Sequence, residues 1–306
     1  MNDNRNKSAW RGLIDSTKSF SHPAVGHHGL NRAGLHIARM ATTEVAFVVR
    51  RALSGAPWRD ALTRDGIAVI PEFADDETFA DMQQEVRSAL AATAERVPRP
   101  ASRTQGFGPK IPFEGGFDRH DGAALNRFVH LDTPLLSRTQ RFVSEQLAPF
   151  GAQAVGARSR PAKYAIQELL HYRDDDDLQK NTHRDTFQPA LKLWYFLEDV
   201  RLEDGPFEYV RGSHRLNAAR ARWEYQRSVE ASRKNATDRS GSFRVTDAEL
   251  LAMNYALPES FPVQANTVVI ANVRGFHRRA SIQVDLARRV AIHASLRPSP
   301  FVPIPM

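Results

Sequence analysis

The second half of the chain is divided into short apolar runs, each about as long as a β-strand. The runs lie at residues 163–169, 190–197, 206–210, 267–271 and 289–295. Most of them are bounded by Gly, Pro or Asp, as strands joined by turns are. They follow one another without a regular strand–helix repeat, which favours an antiparallel sandwich or barrel over a parallel sheet. We therefore predict an α+β protein with helices on one side of that sandwich or barrel.

The first half of the chain contributes a strand and two helices. Residues 65–70 predict a turn followed by a buried strand, and residues 73–92 and 134–147 have the apolar spacing of helices. Residues 97–123 are rich in Gly and Pro, so they predict a long irregular loop of the kind that often lines a site.

Two segments outside this pattern predict the domain organisation. Residues 1–60 comprise a polar arm, for which we expect loose order and no chemistry, and then a basic amphipathic helix at 35–53. The helix either packs on the domain or touches anionic lipid or another subunit. Residues 61–306 are expected to form one domain, interrupted at about 216–260 by a charged helical insert.

The chain contains no cysteine, and its formal net charge is +7. The lack of cysteine excludes disulfides, thiolate zinc sites, iron–sulfur clusters and a cysteine nucleophile, so any metal must be held by nitrogen and oxygen. The charge suggests an anionic partner, such as nucleic acid, a lipid surface or an acidic small molecule. We find neither a spanning helix nor a signal peptide in the sequence, so a cytoplasmic location is expected.

Two His–x–carboxylate pairs are candidate metal ligands. Residues i and i+2 of an extended chain project from the same face, so both side chains can bind one ion. The pair at 130–132 precedes Thr133-Pro134, which favours a helix N-cap. The pair His183 and Asp185 instead precedes a predicted strand, and His277 follows another. Together these three would form the 2-His-1-carboxylate arrangement of non-haem iron oxygenases, which leaves coordination positions open.

A family resemblance strengthens the second pair. After the HxD motif at 183–185, residues 197–200 read Leu-Glu-Asp-Val and residues 205–214 read Gly-Pro-Phe-Glu-Tyr-Val-Arg-Gly-Ser-His. Arg288 then follows His277 by eleven positions. In this combination the motifs resemble the phytanoyl-CoA dioxygenase family of Fe(II)- and 2-oxoglutarate-dependent oxygenases.

The resemblance implies a jelly-roll, cupin-like barrel (a double-stranded β-helix) and a dioxygenase that uses Fe(II), 2-oxoglutarate and O2. His183, Asp185 and His277 would bind the iron. Halogenating relatives have a small residue in place of Asp185, so the carboxylate implies hydroxylation. Arg288 would bind the distal carboxylate of 2-oxoglutarate. Only one of Arg288 and Arg289 can point into the barrel, and the spacing favours Arg288.

The resemblance also suggests residues around the cosubstrate. Trp194 matches a position that lines the cosubstrate pocket, although a core tryptophan is an equal interpretation. Thr186 could donate a hydrogen bond near the metal, or simply begin a strand. The family often has a small or hydroxyl residue two positions after the distal histidine, where this chain has Arg279. That contact with the cosubstrate is therefore left open.

The substrate is predicted from charge alone. Arg220, Arg222 and Arg227 lie in the insert, where a lid would sit, and we expect them and Arg279 to bind an anionic small molecule or saccharide. The alternative for the insert is a solvated helix face. A basic lid and a basic helix would suit an acidic head group on the inner face of a membrane. One such activity among relatives is hydroxylation of the sugar Kdo in lipopolysaccharide.

Two other functions stay open at this point. One is hydroxylation of a small soluble metabolite. The other is a non-catalytic β-sandwich that binds a partner through its basic surface. A nucleic-acid partner is not expected, because the aromatic residues are not interleaved with the arginines as stacking platforms require.

Overall fold

The computed structural model describes residues 10–55, 60–93, 95, 107–158, 162–173 and 177–305. Its α-helices are α1 His28–Arg32, α2 Leu35–Leu53, α3 Asp60–Asp65, α4 Asp76–Ala91, α5 Ser137–Phe142, α6 Ala148–Ala154, α7 Ala218–Ala231 and α8 Asp247–Ala252. Its strands are β1 Ile67–Ile70, β2 Phe107–Phe113, β3 Gly116–Asp121, β4 Ala124–His130, β5 Tyr164–Tyr172, β6 Leu191–Phe196, β7 Phe207–Tyr209, β8 Glu259–Phe261, β9 Thr267–Asn272, β10 His277–Arg279 and β11 Leu286–Leu296. Short 3-10 or π turns occupy Pro134–Leu136, Val143–Leu147, Leu178–Lys180 and Leu202–Asp204.

The described strands form two antiparallel sheets that face each other as a jelly-roll sandwich. The large sheet has eight strands in the order β1-β9-β6-β11-β5-β4-β3-β2, and the small sheet has three in the order β10-β7-β8. Tyr209 and Phe261 of the small sheet share an apolar cluster with Phe196 and Val269 of the large one. The predicted α+β jelly roll is confirmed, although the described strands leave it an open sandwich rather than a closed barrel.

The large sheet has two faces of different character. Side chains alternate along each strand, so Val290 and Ile292 lie on one face and Arg289 and Ala291 on the other. The first face, here called the helix face, packs its apolar residues against helices such as α4. The second, the cavity face, looks toward the small sheet. The position of a residue in its strand therefore decides whether it can reach the site.

The helix predicted at 73–92 is present and begins at Asp76. Asp75 is the N-cap of α4 and accepts a hydrogen bond from the Thr78 amide. Thr133 caps the turn that begins at Pro134, so the pair at 130–132 precedes a helix N-cap, as expected. The predicted helix at 134–147 is in fact a series of short helical segments that continues through α6.

The loop predicted at residues 97–123 is wrong for its described part, which forms β2 and β3. Gly115 adopts a left-handed conformation with φ of 82° in the turn between these strands. Pro112 is tolerated because β2 is the edge strand of the sheet. The Gly and Pro residues thus mark a hairpin and an edge.

The N-terminal arm is packed, contrary to the expectation of loose order for residues 1–28. Within its described part, Phe20 is buried in a cluster with Trp223 and Phe243 of the insert. Arg39 of α2 donates hydrogen bonds to four arm carbonyls, including that of Gly12. Helix α7 of the insert packs against α1 and α2. The arm, α2 and the insert therefore form one layer beside the sandwich.

No described helix combines the length and the apolarity needed to cross a bilayer.

Candidate metal centre

The structure brings together the three predicted metal ligands from two neighbouring extended segments. His183 pairs with His277 of β10 through backbone hydrogen bonds of 2.9 and 2.8 Å. The Asp185 amide donates to the carbonyl of Val273, which holds the end of the HxD segment beside β10. One ligand atom from each of the three side chains lies within 4.8 Å of the others. Among the described residues, this is the only such group of His and carboxylate side chains.

Backbone contacts orient both imidazole rings. Nδ1 of His183 lies 2.8 Å from the carbonyl oxygen of Asn181, and Nδ1 of His277 lies 2.9 Å from that of Gly275. A carbonyl accepts only from a protonated Nδ1, so Nε2 of each ring carries the lone pair. Both Nε2 atoms are 3.7 Å from Oδ1 of Asp185. The three atoms face one another as ligands of one ion would.

The protonation states of the three side chains also suit metal binding. Burial lowers the pKa of His183, and it lowers the pKa of His277 to about 3. Burial alone would raise the pKa of Asp185, but Lys192 and the two histidines outweigh it and hold the pKa well below its usual range. At neutral pH the site therefore offers two neutral imidazoles and a carboxylate, the forms that coordinate metals.

Two lysines hold Asp185, and neither was singled out from the sequence. Nζ of Lys192 lies 2.7 Å from Oδ2, the carboxylate oxygen that faces away from the histidines. Nζ of Lys18 donates to the Asp185 carbonyl at 2.6 Å, and burial lowers the pKa of this lysine to about 8. Lys18 belongs to the N-terminal arm, so the arm contributes to the centre, contrary to the prediction.

A buried ion-pair network supports the HxD segment from behind. Arg184 donates to both carboxylate oxygens of Glu224 at 2.7 Å, and its guanidinium lies over the Phe243 ring. His36 of α2 contacts the same carboxylate at 3.0 Å. Burial would raise the pKa of Glu224, but Arg184 and Arg220 lower it strongly. The insert and α2 therefore fix the residue that stands between two metal ligands.

The predicted role of Arg220 in substrate binding is wrong. Its side chain is buried, bonded to Glu224 at 2.8 Å and to the Ser213 carbonyl at 2.7 Å, and it stacks on the Phe276 ring. The basic pattern of the insert gave no sign that Glu224 inside the same helix would bind this arginine four residues before it.

The other three arginines predicted to bind substrate do not contact the triad either. Arg222 is exposed on α7. Arg227 pairs with Glu230 and Glu249 and lines a cleft of about 800 Å³ beside the insert, whose lining includes none of the three ligands.

Arg279 lies on the inward face of β10, but the protein already neutralises it. It donates to Asp177 at 3.0 Å and to Asp121 at 3.1 Å. Asp177 is itself buried.

The prediction that Arg288 points into the cavity is wrong. Arg288 lies on the helix face, where it donates to Glu168 at 2.7 Å and pairs with Glu198. Its neighbour Arg289 lies on the cavity face, and its buried Nε and Nη2 atoms have no hydrogen-bond partner within the described ranges. Burial lowers the pKa of Arg289 to about 9. The spacing from His277 could not decide between adjacent residues that face opposite ways.

Aromatic side chains of the cavity face extend as far as the metal centre, and they are here called the aromatic wall. Trp194 lies on the cavity face of β6, with its ring 5.2 Å from that of Phe207, which in turn lies 5.4 Å from the ring of His277. His293 of β11 stands opposite Trp194, at 5.6 Å between ring centroids. Thr186 is buried directly after the HxD segment. The role of Trp194 and Thr186 toward a cosubstrate stays a prediction.

The jelly roll and the His-Asp-His triad are those of a non-haem Fe(II)- and 2-oxoglutarate-dependent oxygenase. The sequence model of the phytanoyl-CoA dioxygenase family matches residues 62–251, more than half of the chain. The chain therefore belongs to the phytanoyl-CoA dioxygenase family, which confirms the resemblance carried by its motifs. No curated protein sequence matches the chain significantly.

Solved structures of similar fold are distant in sequence. The epimerase SnoN, crystallised with Fe3+, α-ketoglutarate and nogalamycin RO, is 18% identical over 82% of this chain and 87% of its own, with a TM-score of 0.45. HygX from Streptomyces hygroscopicus, crystallised with nickel and 2-oxoglutarate, is 17% identical over 79% and 88%, with a TM-score of 0.43. EctD from S. alaskensis, crystallised with Fe, is 14% identical over 83% and 84%, with a TM-score of 0.47.

Proposed function

We propose that the protein hydroxylates a C–H bond of an anionic small molecule in a reaction that depends on Fe(II) and 2-oxoglutarate. The observation that carries the proposal is the geometry of the triad, whose three ligand atoms lie within 4.8 Å of one another. Two neutral imidazoles and one carboxylate match the ligands of non-haem iron, and the chain has no thiolate to favour another metal. Iron bound by His183, Asp185 and His277 supplies O2 activation, coupled to oxidation of 2-oxoglutarate.

The residues of the chain position the reactants. Nε and Nη2 of Arg289 are buried and have no hydrogen-bond partner among the described residues, so this pair of donors fits the distal carboxylate of 2-oxoglutarate as a two-pronged contact. Trp194 and Phe207 place aromatic side chains beside His277, so the surroundings of the metal ligands on this side are apolar. Asp185 fills the coordination position that a halide would need, which favours hydroxylation.

The test of the proposal is conversion of 2-oxoglutarate to succinate by the iron-loaded protein. Wild type is expected to form succinate, and His183→Ala and Asp185→Ala are expected to lose at least about 100-fold in rate, since removing one ligand disrupts the centre. Arg87→Met, an exposed change on α4, is the control and should match wild type. Equal Fe(II) affinity in wild type and both ligand variants would end the assignment of the triad.

The same assay separates the candidate substrates and classes. Hydroxylated product is followed by mass spectrometry with Kdo-lipid A and with a panel of soluble carboxylates and phosphate esters. Turnover of a soluble compound alone excludes the Kdo hypothesis, and turnover of Kdo-lipid A alone excludes the soluble-metabolite alternative. Failure of wild type to convert 2-oxoglutarate under any condition would leave the non-catalytic binding protein.

A peripheral membrane contact is a further part of the proposal. Helix α2 exposes Val45, Val48, Val49 and Leu53, which recur at helical spacing on one side. A positively charged protein with such a stripe is expected to bind vesicles that contain phosphatidylglycerol more strongly than pure phosphatidylcholine vesicles. Co-sedimentation measures the difference, and Val48→Asp should remove it. Equal sedimentation of wild type and Val48→Asp argues against the contact.

A further inference from the structure

The cavity face of β11 has two polar ends, and the second of them adjoins the aromatic wall. Arg289 marks one end, and His293 lies four residues further on, about 13 Å away at the rise of a strand. On the adjacent strand β6, Trp194 is opposite His293, and Lys192 is opposite Ser295. Lys192 and His293 are therefore neighbours at the end away from Arg289.

This second end carries an excess of positive charge. The charged groups that act on His293 are Lys192, Arg297 and Asp185, and Lys18 lies among the same groups. Lys192 and Arg297 therefore act on His293 together with one carboxylate, Asp185, which is a metal ligand. Arg297 follows directly after β11, is exposed, and has no acidic partner among the residues that the structure describes.

Lys192 keeps donors to spare. An ammonium group has three N–H donors, and the contact with Oδ2 of Asp185 uses one of them. A metal ion bound to Asp185 would also balance part of the negative charge of this carboxylate, which Lys192 otherwise balances. The cluster of Lys192 and Arg297, with His293 beside it, then has an unbalanced positive charge next to the reacting centre.

We propose that Lys192 and Arg297 bind the anionic group of the substrate, a carboxylate or a phosphate, at the end of the cavity opposite Arg289. The inference rests on the proposed function and specifies where on the protein the substrate binds. Arg289 would hold the cosubstrate at one end, and Lys192 would hold the substrate at the other. Since Lys192 contacts a metal ligand, an anion bound to it places the adjacent carbon atoms near the metal.

The experiment measures binding of inorganic phosphate to protein loaded with Mn(II) and 2-oxoglutarate, by titration calorimetry at fixed ionic strength. Lys192→Met and Arg297→Met are each expected to weaken phosphate binding about tenfold, the loss of one charge-assisted contact. Lys192→Arg keeps the charge and should stay within about threefold of wild type. Arg87→Met on α4 is the matched control and should bind as wild type does.

Three outcomes would overturn the inference. The first is no phosphate binding by wild type. The second is unchanged binding in Arg297→Met, which would show that phosphate only coordinates the metal. The third is weakening in Arg244→Met alone, because Arg244 lines the insert cleft and would place the anion there.

Metal content and 2-oxoglutarate affinity are measured in the same samples. If 2-oxoglutarate fails to bind wild type, the proposed function fails. If 2-oxoglutarate binds while Lys192→Met and Arg297→Met leave phosphate binding unchanged, only this inference fails.

Discussion

The two faces of the large sheet differ in whether their arginines are paired with carboxylates. On the helix face, Arg127 and Asp118 are both almost fully buried and form a two-pronged ion pair with contacts of 2.8 Å. Arg288 on the same face is bonded to Glu168. On the cavity face, Arg289 has two buried donors with no partner in the part of the chain that the structure describes.

This difference separates structural charges from functional ones. An unpaired buried charge destabilises the folded protein, so such a charge is expected where a bound ligand supplies the missing partner. Arg288 and Arg289 are adjacent in sequence and equal in chemistry, yet only the second is available to a carboxylate from outside. Partner-free charge on the cavity face is therefore a better guide to the site than positive charge in the insert.

The largest expected effect tests the helix face. Asp118→Ala removes a buried two-pronged ion pair with Arg127 and should lower the free energy of unfolding by about 3–5 kcal/mol. Urea unfolding measures the loss, while the affinity of the remaining folded protein for 2-oxoglutarate should not change. A loss below about 1 kcal/mol would mean that the pair does not stabilise the fold, and it would contradict the difference drawn between the two faces.

The next effect tests the cavity face. Arg289→Leu should weaken 2-oxoglutarate binding about 100-fold, the loss of a two-pronged charge-assisted contact. The same change should not lower stability without 2-oxoglutarate, because it removes an unpaired buried charge. Arg288→Leu is the matched control and should show the reverse: unchanged 2-oxoglutarate affinity and reduced stability, since the ion pair between Arg288 and Glu168 is lost. Equal loss of affinity in both variants would contradict the assignment.

The smallest effect concerns a buried histidine on the cavity face. Burial lowers the pKa of His171 to about 4, below its value of about 6.5 in the unfolded chain. The unfolded chain therefore binds more protons between these pH values, and His171 makes stability fall as pH falls from about 6.5 to about 4. The slope is up to about 1.4 kcal/mol per pH unit. Urea unfolding of wild type and His171→Gln at pH 7, 6 and 5 should show a flatter dependence in the variant; parallel curves would contradict the shift.

The sequence predicted the class of fold and the triad well because both depend on local patterns. Strand-length apolar runs mark the sheet strands, and an HxD pair in extended chain places two side chains on one face. The hairpin of β2 and β3 was missed because Gly115 and Pro112 resemble loop residues when the edge position of β2 is not known.

The remaining errors concern partners far away in sequence. Arg220 was expected to meet substrate, but its partner Glu224 became buried only because α7 packs on α2. Lys18 and Lys192 were not singled out because no local pattern connects them with Asp185. The choice between Arg288 and Arg289 depended on the register of β11 against β5, which spacing along one chain does not contain.

The contact between Lys18 and the Asp185 carbonyl has a consequence for folding. It joins residues 167 positions apart, and His277 must also arrive before the third ligand is in place. Contacts so distant in sequence close slowly, after local helices and hairpins have formed. During synthesis, the arm must therefore wait for residue 185 to emerge and the triad for residue 277, so the ability to capture metal is acquired late.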